Sequence, residues 1–449
     1  MKKIKTFFSC IIFLVLMLLV NEFFHYLLID DTKSYTRIMM HEMYESEENI
    51  DVLFLGSSHC YRSLNPEITD EVFGAHTFNG GSSLQGLDTT YSLLVEADKK
   101  HNLKEVYVEL YCGITAETFS NRGDLTATYL ISDYMKPSLN RFQLLINASS
   151  PKHYFNSFIL GRREWEKLFD SSYIKELFEK KQTNAYKNYE YIVDITDAYM
   201  GRGYVGSKMV WGEDSNYYSS INFSFYENYI SDDCTEYIKK IINYCKKNNI
   251  KLTFFSAPIH NFELACYGNY DYYIEQVNYL LSDYDVSYYD FNLCKPEVLN
   301  IDGSKLMDSH HLNIDGAQEF SKIFGEFFTG KLDESIFYPS FNAKMDDMDI
   351  PLLGYIMEPL DEFSEETKDE NKYFDFDNYN YIAINPVTYK DHVFEYRISK
   401  KLDDEEIPIQ DWNENIILFY PKGESGIFYI ESRIAGTTEI INVTNYQYN

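Results

Sequence analysis

The chain has 449 residues, more than one ordinary hydrophobic core accommodates, so its length predicts two or three domains. Its 70 Asp and Glu outnumber its 40 Lys and Arg, and a net charge of −30 argues against nucleic acid as a partner, because the surface repels polyanions. The seven cysteines show no CxxC spacing and no even-numbered framework. They therefore predict buried thiols, and we expect no metal site and no cofactor.

The first 30 residues have the pattern of a membrane-targeting segment. Three lysines within the first five residues precede an apolar run at 7–20, which resumes at 23–29 and ends at two aspartates. The run predicts a membrane anchor or a signal sequence, and the absence of a small-x-small cleavage site favours an uncleaved anchor. Basic residues before the helix predict a cytoplasmic amino terminus. We therefore predict a single-pass cell-membrane protein whose remaining chain, after about residue 30, is extracytoplasmic.

Residues 50–330 alternate between apolar runs and amphipathic segments, a pattern typical of a parallel sheet with crossover helices. The predicted strands lie at 51–55, 76–79, 106–110, 251–257 and 286–291. Five strands with interleaved helices predict a flavodoxin-like three-layer α/β domain. The alternation is lost at about 114–232, where we predict a helical insertion that serves as a lid or substrate platform.

After residue 331 the pattern changes again. Short β-branched and aromatic runs are separated by Asn, Asp, Gly and Pro turns, and they predict a C-terminal β-sandwich over 345–449. The acidic stretch at 358–375 is predicted to be a solvated loop between two of its strands.

The first predicted strand stops abruptly at Gly56-Ser57-Ser58. Glycine permits a sharp turn at that point, which places Ser58 at the carboxyl edge of the sheet, where open α/β sheets bind ligands. The pattern favours either a nucleophile at Ser58 or a serine-rich cap at the start of a helix.

A second segment, from Asp308 to Gly316, supplies the groups that a serine nucleophile needs. Asp308 and His311 lie three residues apart on a loop before a predicted helix, so the carboxylate can hold the imidazole in the tautomer that accepts a proton. These residues predict a triad in which Ser58 is the nucleophile, His311 the base and Asp308 the orienting acid. The structural alternatives are a capping histidine and an ordinary loop acid. His310, beside His311, should point away from it, so this pair does not predict a metal site.

These segments resemble the SGNH or GDSL hydrolase superfamily over about residues 50–118 and 235–330. The first family block, Gly-Asp-Ser-x, is similar to Gly56-Ser57-Ser58-His59 with serine in place of aspartate, and the last block is matched from Asp308 to Gly316. The serine variant resembles the membrane-anchored branch that includes the D-alanyl transfer protein and the alginate O-acetylation proteins. The second block resembles Asn79-Gly80-Gly81. The resemblance implies an SGNH fold and an oxyanion hole built from the backbone N–H groups of Ser58 and Gly81.

The third block of the family departs from its pattern. Family members carry Gly-x-Asn-Asp after the third strand, whereas this chain has Tyr111-Cys112-Gly113-Ile114. Glu109 is a candidate local substitute for the missing side chain, although a carboxylate facing solvent is the favoured interpretation. Asn79, His59 and His260 are candidates to line the substrate pocket. For His59 we favour an exposed loop histidine, and for His260 a residue outside the site.

The leading hypothesis is a membrane-anchored, extracytoplasmic serine O-acyltransferase or esterase that acts on acyl groups of a cell-surface glycan through an acyl-Ser58 intermediate. The resemblance implies a multi-spanning membrane acyltransferase as partner. The alternative is a catalytically weak glycan-binding or scaffolding subunit of a cell-surface acylation system, which would hold polymer on its aromatic-rich insertion and its sandwich.

Overall fold

The computed structural model describes residues 2–118, 125–211, 228–360, 375–388, 390, 392–402, 405–423 and 426–448. It begins with a 27-residue helix, α1 (Lys2–Leu28). The stretch Thr6–Leu28 is long and apolar enough to cross a membrane, with a mean hydropathy of 2.4 in its most apolar window. At 1.5 Å per residue, these residues extend about 35 Å, slightly more than a bilayer's hydrocarbon core. The predicted apolar helix is confirmed, and its orientation across a membrane stays a prediction.

The centre of the molecule is a parallel sheet of five strands. The strands are β1 (Val52–Leu55), β2 (Thr77–Asn79), β3 (Glu105–Glu109), β6 (Lys251–Ser256) and β7 (Ser287–Asp290). They lie in the order β2-β1-β3-β6-β7, which is the order of doubly wound sheets of the flavodoxin type. The five predicted strands form this sheet, so the predicted parallel α/β architecture is confirmed.

Helices cover both faces of the sheet because its strands are apolar on both sides. In β1, Leu53 and Leu55 join one hydrophobic cluster, whereas Val52 and Phe54 join the other. The helices of this part of the chain are α2 (Tyr35–Glu45), α3 (Ser58–Ser63), α4 (Pro66–Phe73), α5 (Leu87–Lys100), α12 (Asp232–Asn248), α13 (Asn261–Cys266), α14 (Tyr270–Leu281), α15 (Ile314–Phe328) and α16 (Phe341–Met348).

The segment predicted as a helical insertion contains helices and, in addition, a β-hairpin that the sequence analysis missed. The hairpin turns at Arg202. Part of the insertion, at 119–124 and 212–227, lies outside the described residues. Its elements are α6 (Cys112–Thr115), α7 (Thr126–Ser132), α8 (Leu139–Ala148), α9 (Tyr154–Phe158), a 3₁₀ segment (Leu160–Phe169), α10 (Ser171–Gln182), α11 (Asn184–Lys187), β4 (Asp197–Gly201) and β5 (Tyr204–Ser207).

The hairpin of the insertion is fastened to the edge of the central sheet. The Asn79 N–H, at the end of β2, donates to the Arg202 carbonyl oxygen at 2.9 Å, and the Arg62 guanidinium donates to the Asp197 carboxylate at 2.8 Å. Gly203 has a φ of +86°, and a Cβ at this position would lie 1.6 Å from the Asn79 carbonyl oxygen. Only glycine allows the hairpin to come this close to the strand that precedes the candidate second block.

We expect the substitution Gly203→Ala to destabilise the fold by about 3 kcal/mol or more, because it combines an unfavourable φ with a backbone collision. Gly436→Ala is the matched control, since Gly436 has a φ of +77° but no atom of the described residues lies within 4 Å of the point where a Cβ would be. The control should lose only about 1 kcal/mol. Thermal denaturation of the full-length proteins in detergent measures the stability of both variants. Equal losses of stability would contradict the close contact between Gly203 and the Asn79 carbonyl oxygen.

The C-terminal part of the chain forms two antiparallel sheets. Their strands are β8 (Gly354–Pro359), β9 (Tyr379–Val387), β10 (Phe394–Leu402), β11 (Glu405–Asn413), β12 (Ile417–Pro421), β13 (Gly426–Ile434) and β14 (Ile440–Tyr448). The strand orders are β12-β9-β8 and β11-β10-β13-β14. Tyr355 and Ile382 of one sheet share a hydrophobic cluster with Phe428 and Ile430 of the other. The predicted antiparallel β region is confirmed, whereas residues 361–374 of the predicted acidic loop lie outside the described residues.

Candidate active site

The turn after β1 places two adjacent serines in different roles. A Cβ on Gly56 would lie 2.6 Å from the Glu109 Oε2 atom, so glycine leaves room for that carboxyl group. Ser57 is the N-cap of α3, and its hydroxyl accepts the His59 N–H at 3.3 Å. Ser58 is then the first residue of the helix, at the carboxyl edge of the sheet. The capping role therefore belongs to Ser57, and the Ser58 hydroxyl is available for another partner.

The structure brings Ser58, His311 and Asp308 together. The Ser58 Oγ lies 2.8 Å from His311 Nε2. His311 Nδ1 lies 2.9 Å from Oδ2 and 3.0 Å from Oδ1 of Asp308. In the tautomer with the proton on Nδ1, this N–H donates a hydrogen bond to the carboxylate, and the unprotonated Nε2 can accept the serine proton. Each of the two hydrogen bonds is within the range expected of a nucleophile, a base and an orienting acid.

The Asp308 carboxylate also organises its own loop. Its Oδ1 accepts the backbone N–H groups of His310 and His311 at 2.9 and 2.8 Å. Burial raises the pKa of this carboxyl, but the hydrogen bonds from the His311 ring and from the two backbone groups outweigh it, so the pKa lies well below its usual range. Asp308 is therefore ionised whenever the protein is folded near neutral pH, as an orienting acid requires.

Two further residues of the same segment have structural roles. Asn313 is the N-cap of α15, and its side-chain oxygen accepts the Gly316 N–H at 3.0 Å. A Cβ on Gly316 would lie 2.3 Å from the Lys305 carbonyl oxygen. These two residues hold the loop against the start of α15, and the loop in turn holds His311.

A buried carboxyl group lies behind the nucleophile turn. Glu109 is only 4% exposed, and its Oε2 accepts both the N–H and the hydroxyl of Ser57, each at 2.8 Å. Burial raises the pKa of Glu109 to about 7, although the hydrogen bonds from Ser57 oppose this shift. The prediction that Glu109 faces solvent is wrong, because the missing Cβ of Gly56 leaves a place for the carboxyl group inside the fold.

His59 is also buried, at 4% exposure, and not on an exposed loop as predicted. Its ring stacks on the His311 ring, with centroids 4.9 Å apart and an angle of 19°. Its Nδ1 lies 3.1 Å from the Ser57 Oγ, and burial, with the neighbouring His311, holds its pKa well below the usual value. A neutral His59 therefore forms one wall beside the candidate base, and the chain Glu109–Ser57–His59 connects it to β3.

His310 lies beside a different carboxyl group from the one that holds His311. Its Nε2 lies 3.3 Å from Oε1 of Glu263, on α13, and Glu263 Oε2 accepts the Ser309 hydroxyl at 3.0 Å. Burial raises the pKa of Glu263 to about 7 and lowers that of His310 to about 4. The two adjacent histidines thus face different carboxyl groups, and Glu263 supports the loop from outside the triad through its hydrogen bond with Ser309.

The predicted oxyanion donors are only partly available in this structure. The Gly81 N–H donates to the Asn79 side-chain oxygen at 3.0 Å, and the Asn79 amide donates to the carbonyl oxygens of Cys60 and Leu64, each at 2.9 Å. The expectations that Gly81 presents a free N–H and that Asn79 lines the pocket are therefore corrected, because Asn79 is wholly buried and uses Gly81 itself. Within the described residues, the Ser58 N–H has no hydrogen-bond acceptor.

His260 lies at the start of α13. Its Nδ1 accepts the Phe262 N–H at 3.3 Å, and its ring meets Trp211 edge-on with centroids 4.8 Å apart. Burial lowers the pKa of His260 to about 4. The side chain of His260 caps α13, and its backbone N–H donates to the Ser309 carbonyl oxygen at 3.2 Å. His260 therefore supports the histidine loop, and among the described residues its hydrogen bonds do not include Ser58, His311 or Asp308.

Sequence reasoning missed two parts of this site. It did not find the pairing of Ser57 with Glu109 or the support of the histidine loop by Glu263. The first carried a usable signal: Glu109 ends the strand that neighbours β1, directly across from the glycine at which β1 ends. The second had none, since Glu263 is 45 positions away from Asp308 and reaches the loop only through tertiary packing.

The raised pKa of Glu109 predicts a pH dependence of folding. Its folded-state pKa of about 7 lies above its ordinary value of 4.5, so the folded protein holds this proton more tightly than the unfolded chain. The associated stabilisation is full below about pH 4.5 and is lost as the pH rises through about 7. The side chain at position 109 is uncharged at every pH in Glu109→Gln. Relative to this variant, the free energy of unfolding of the wild type should fall by about 3 kcal/mol between these pH values.

Denaturation of both proteins in detergent at pH 5 to 8 measures this difference. Glu263 is present in both, so its contribution cancels in the comparison. Glu105→Gln, at the partly exposed start of the same strand, is the control and should keep the wild-type pH dependence. A constant difference between wild type and Glu109→Gln would contradict the buried position of the carboxyl group.

Comparison with known proteins gives little further information. A family model that carries no descriptive name matches residues 219–333, which is well under half of the chain. No curated protein matches. Among solved structures, one described as "a putative platelet activating factor from Streptococcus pneumonia" is similar with 12% identity, and the match covers 70% of this chain and 97% of the other. Its TM-score is 0.30, and a similarity this weak establishes neither the fold nor the function of this chain.

Proposed function

We propose that this protein is a membrane-anchored serine O-acyltransferase or esterase of the SGNH type, which acts on acyl groups of a cell-surface glycan through an acyl-Ser58 intermediate. The observation that carries the proposal is the 2.8 Å contact between Ser58 Oγ and His311 Nε2, with the other ring nitrogen on Asp308. A hydroxyl, an imidazole and a carboxylate in this order form the arrangement that activates a serine near neutral pH.

In the proposed first step, Ser58 Oγ attacks the carbonyl carbon of an acyl ester while His311 Nε2 takes the hydroxyl proton. The bond between the carbonyl carbon and the leaving oxygen then breaks, and His311 returns the proton to that oxygen, which leaves as an alcohol. The Ser58 N–H is placed to donate to the developing oxyanion. In the second step, His311 deprotonates a glycan hydroxyl or water, and the resulting oxygen attacks the carbonyl carbon of the acyl-Ser58 ester. The bond between that carbon and Ser58 Oγ then breaks, and His311 returns the proton to Oγ.

The SGNH assignment is supported by the five-stranded sheet, the helices on both of its faces and the positions of the blocks at Gly56 and Asp308. The two C-terminal antiparallel sheets with a common core fit the β-sandwich of the proposed architecture. Transfer is favoured over free hydrolysis because the third-block asparagine is missing and the candidate anchor would hold the site near a membrane. In this proposal the catalytic domain is extracytoplasmic, and a multi-spanning membrane acyltransferase supplies the acyl group.

A serine-directed fluorophosphonate tests the proposal on the full-length protein in membranes. We expect covalent labelling of the wild type, with the adduct found by mass spectrometry on the peptide that contains Ser58, and no labelling of Ser58→Ala. Ser57→Ala is the adjacent control and should keep the adduct on Ser58, because Ser57 contacts Glu109 and His59 instead. A Ser58→Ala protein that labels as strongly as wild type contradicts the proposal.

A second candidate function is a catalytically weak glycan-binding or scaffolding subunit. The observation that favours it is the Gly81 N–H, which is donated to Asn79 and leaves the oxyanion with fewer donors. The degree of acylation of the glycan distinguishes a transferase, an esterase and a scaffolding subunit. Acylation should fall when a transferase is removed from the cell and rise when an esterase is removed. Under the scaffolding alternative, a cell that produces Ser58→Ala should keep wild-type acylation.

A further inference from the structure

The insertion carries an exposed apolar surface, here called the apolar belt. Seven large apolar side chains between α8 and α10 are each at least 41% exposed, and the most exposed of them reaches 85%. Single exposed apolar residues are ordinary, but a cluster of this size marks an interaction surface. The members of the apolar belt are Leu139, Phe142, Phe155, Ile159, Trp165, Phe169 and Phe178.

The apolar belt is continuous with α1. A Cβ on Gly161, in the 3₁₀ segment, would lie 2.7 Å from the Cβ of Phe24, so the two backbones are in close contact there. On α10, the Phe178 ring meets Tyr26 edge-on with centroids 6.4 Å apart, and the Tyr173 hydroxyl donates to the Leu28 carbonyl oxygen at 2.8 Å. The insertion is thus fixed to the last turns of the helix that is apolar enough to cross a membrane.

An apolar groove of about 800 Å³ runs between the two elements. One wall is α1 from Phe13 to Leu28, and the other includes Phe158, Ile159 and Trp165. Phe13 and Phe24 are eleven residues apart, which corresponds to about 16 Å along a helix. The direct contact of the other wall with α1 is at Phe24, four residues before the end of the helix. If α1 spans a bilayer, this wall therefore lies near one surface of the bilayer, and the groove opens toward the acyl chains beside Phe13.

The charge around the apolar belt differs from that of the chain as a whole. Residues 152–181 carry seven basic and five acidic side chains, in a protein with a net charge of −30. Arg163 and Lys181 are held in ion pairs with Asp133 and Asp31, so the remaining charges of this segment balance, unlike those of the whole chain. Arg162 lies over the Phe155 ring, 5.2 Å from its centroid, and Lys167 lies 5.4 Å from the centroid of Tyr173. Basic groups beside aromatic and aliphatic ones are typical of elements that lie in a membrane interface with anionic lipids.

We infer that the insertion is a second membrane-contacting element, whose apolar belt lies in the interface of the bilayer that α1 crosses and whose groove against α1 holds lipid acyl chains. The inference rests on the membrane-spanning α1 of the proposed function, but not on chemistry at Ser58. A helix alone leaves a domain free to rotate about its tether. A second attachment fixes the orientation of the central sheet relative to the lipid surface, and therefore the height at which a substrate must be presented.

The fluorescence of Trp165 tests this inference in full-length protein reconstituted into vesicles of phosphatidylcholine and phosphatidylglycerol with brominated acyl chains. The Trp165 signal is the difference between wild type and Trp165→Phe, since the other two tryptophans, Trp211 and Trp412, remain in both. We expect bromine to quench this difference signal at least about twofold relative to unbrominated vesicles, and to leave the signal of Trp165→Phe unchanged.

Phe169→Asp should weaken the quenching of Trp165 by removing a neighbouring apolar contact with lipid. Tyr279→Asp, on α14 of the sheet domain, is the matched control because Tyr279 has the same 85% exposure, and it should leave the quenching unchanged. An unquenched Trp165 in protein that resists carbonate extraction overturns the inference, as does cross-linking through position 169 to a second copy of the chain. Carbonate-extractable protein overturns it as well. Fluorophosphonate labelling of the same samples reports on the Ser58 chemistry separately.

Discussion

Alanine in place of Ser58 or of His311 is expected to slow turnover of an activated acyl ester about 10³-fold or more. Ser58→Ala removes the atom that forms the acyl intermediate, and His311→Ala removes the only group that the structure places on the Ser58 hydroxyl, 2.8 Å away, among the described residues. Since the two side chains act as one unit, the double variant should be no slower than the slower single variant.

Initial rates with a chromogenic acetyl ester, measured on purified full-length proteins at equal concentration, give all three values. His310→Ala is the control, because His310 precedes His311 in the chain but pairs with Glu263 and not with Ser58. We expect it to reduce the rate less than about tenfold, through the loop that it helps to support. Rate losses that multiply in the double variant would mean that Ser58 and His311 act independently, and would contradict the triad.

The features predicted correctly depend on local patterns. The apolar run before Gly56 and its counterparts along the chain indicated the five strands of the parallel sheet, because a strand buried on both faces must be apolar throughout. The spacing of Asp308 and His311 likewise placed an acid and a base on one loop, and their bond spans only three residues. Proximity in the chain was sufficient in both cases.

The errors concern side chains whose environment is built from distant parts of the chain. His59 is buried because Tyr111 and His311 lie against its ring, 52 and 252 positions further along. Glu109 is buried because Gly56, on the neighbouring strand, leaves space for it. A carboxylate at a strand end is usually solvated, and the signal against this was the glycine at the end of the neighbouring strand, far away in the sequence. The hairpin at β4 and β5 was missed because its strands are only five and four residues long.

The candidate oxyanion hole shows a third reason why the sequence did not predict the site fully. The order Asn79-Gly80-Gly81 resembles a family block, and the resemblance predicts a free backbone donor at Gly81. Whether that donor is free depends on the rotamer of Asn79, whose side chain folds back onto Gly81 while its amide reaches α3. A pattern of residue types does not determine such a choice, since the same asparagine has a donor and an acceptor to offer.

Asp308→Asn is expected to reduce ester turnover about 10³-fold or more while leaving the fold intact. The asparagine oxygen can still accept the N–H groups of His310 and His311, which Asp308 now accepts at 2.9 and 2.8 Å. Its amide nitrogen, however, would face His311 Nδ1 as a donor. The ring proton would then move to Nε2, and this nitrogen could no longer take the proton of Ser58.

The variant therefore separates the orienting role of the carboxylate from its structural one. Asp302→Asn is the matched control, because Asp302 also accepts a backbone N–H two residues on, from Ser304 at 2.9 Å, but bonds to no histidine. It should keep nearly wild-type turnover, and the free energy of unfolding of both variants should lie within about 1 kcal/mol of the wild-type value. A fully active Asp308→Asn would show that tautomer control is not needed at this site. If Asp308→Asn instead loses activity only in proportion to a loss of free energy of unfolding, Asp308 has a structural role in the loop. The proposed role of its carboxylate in orienting His311 would then be contradicted.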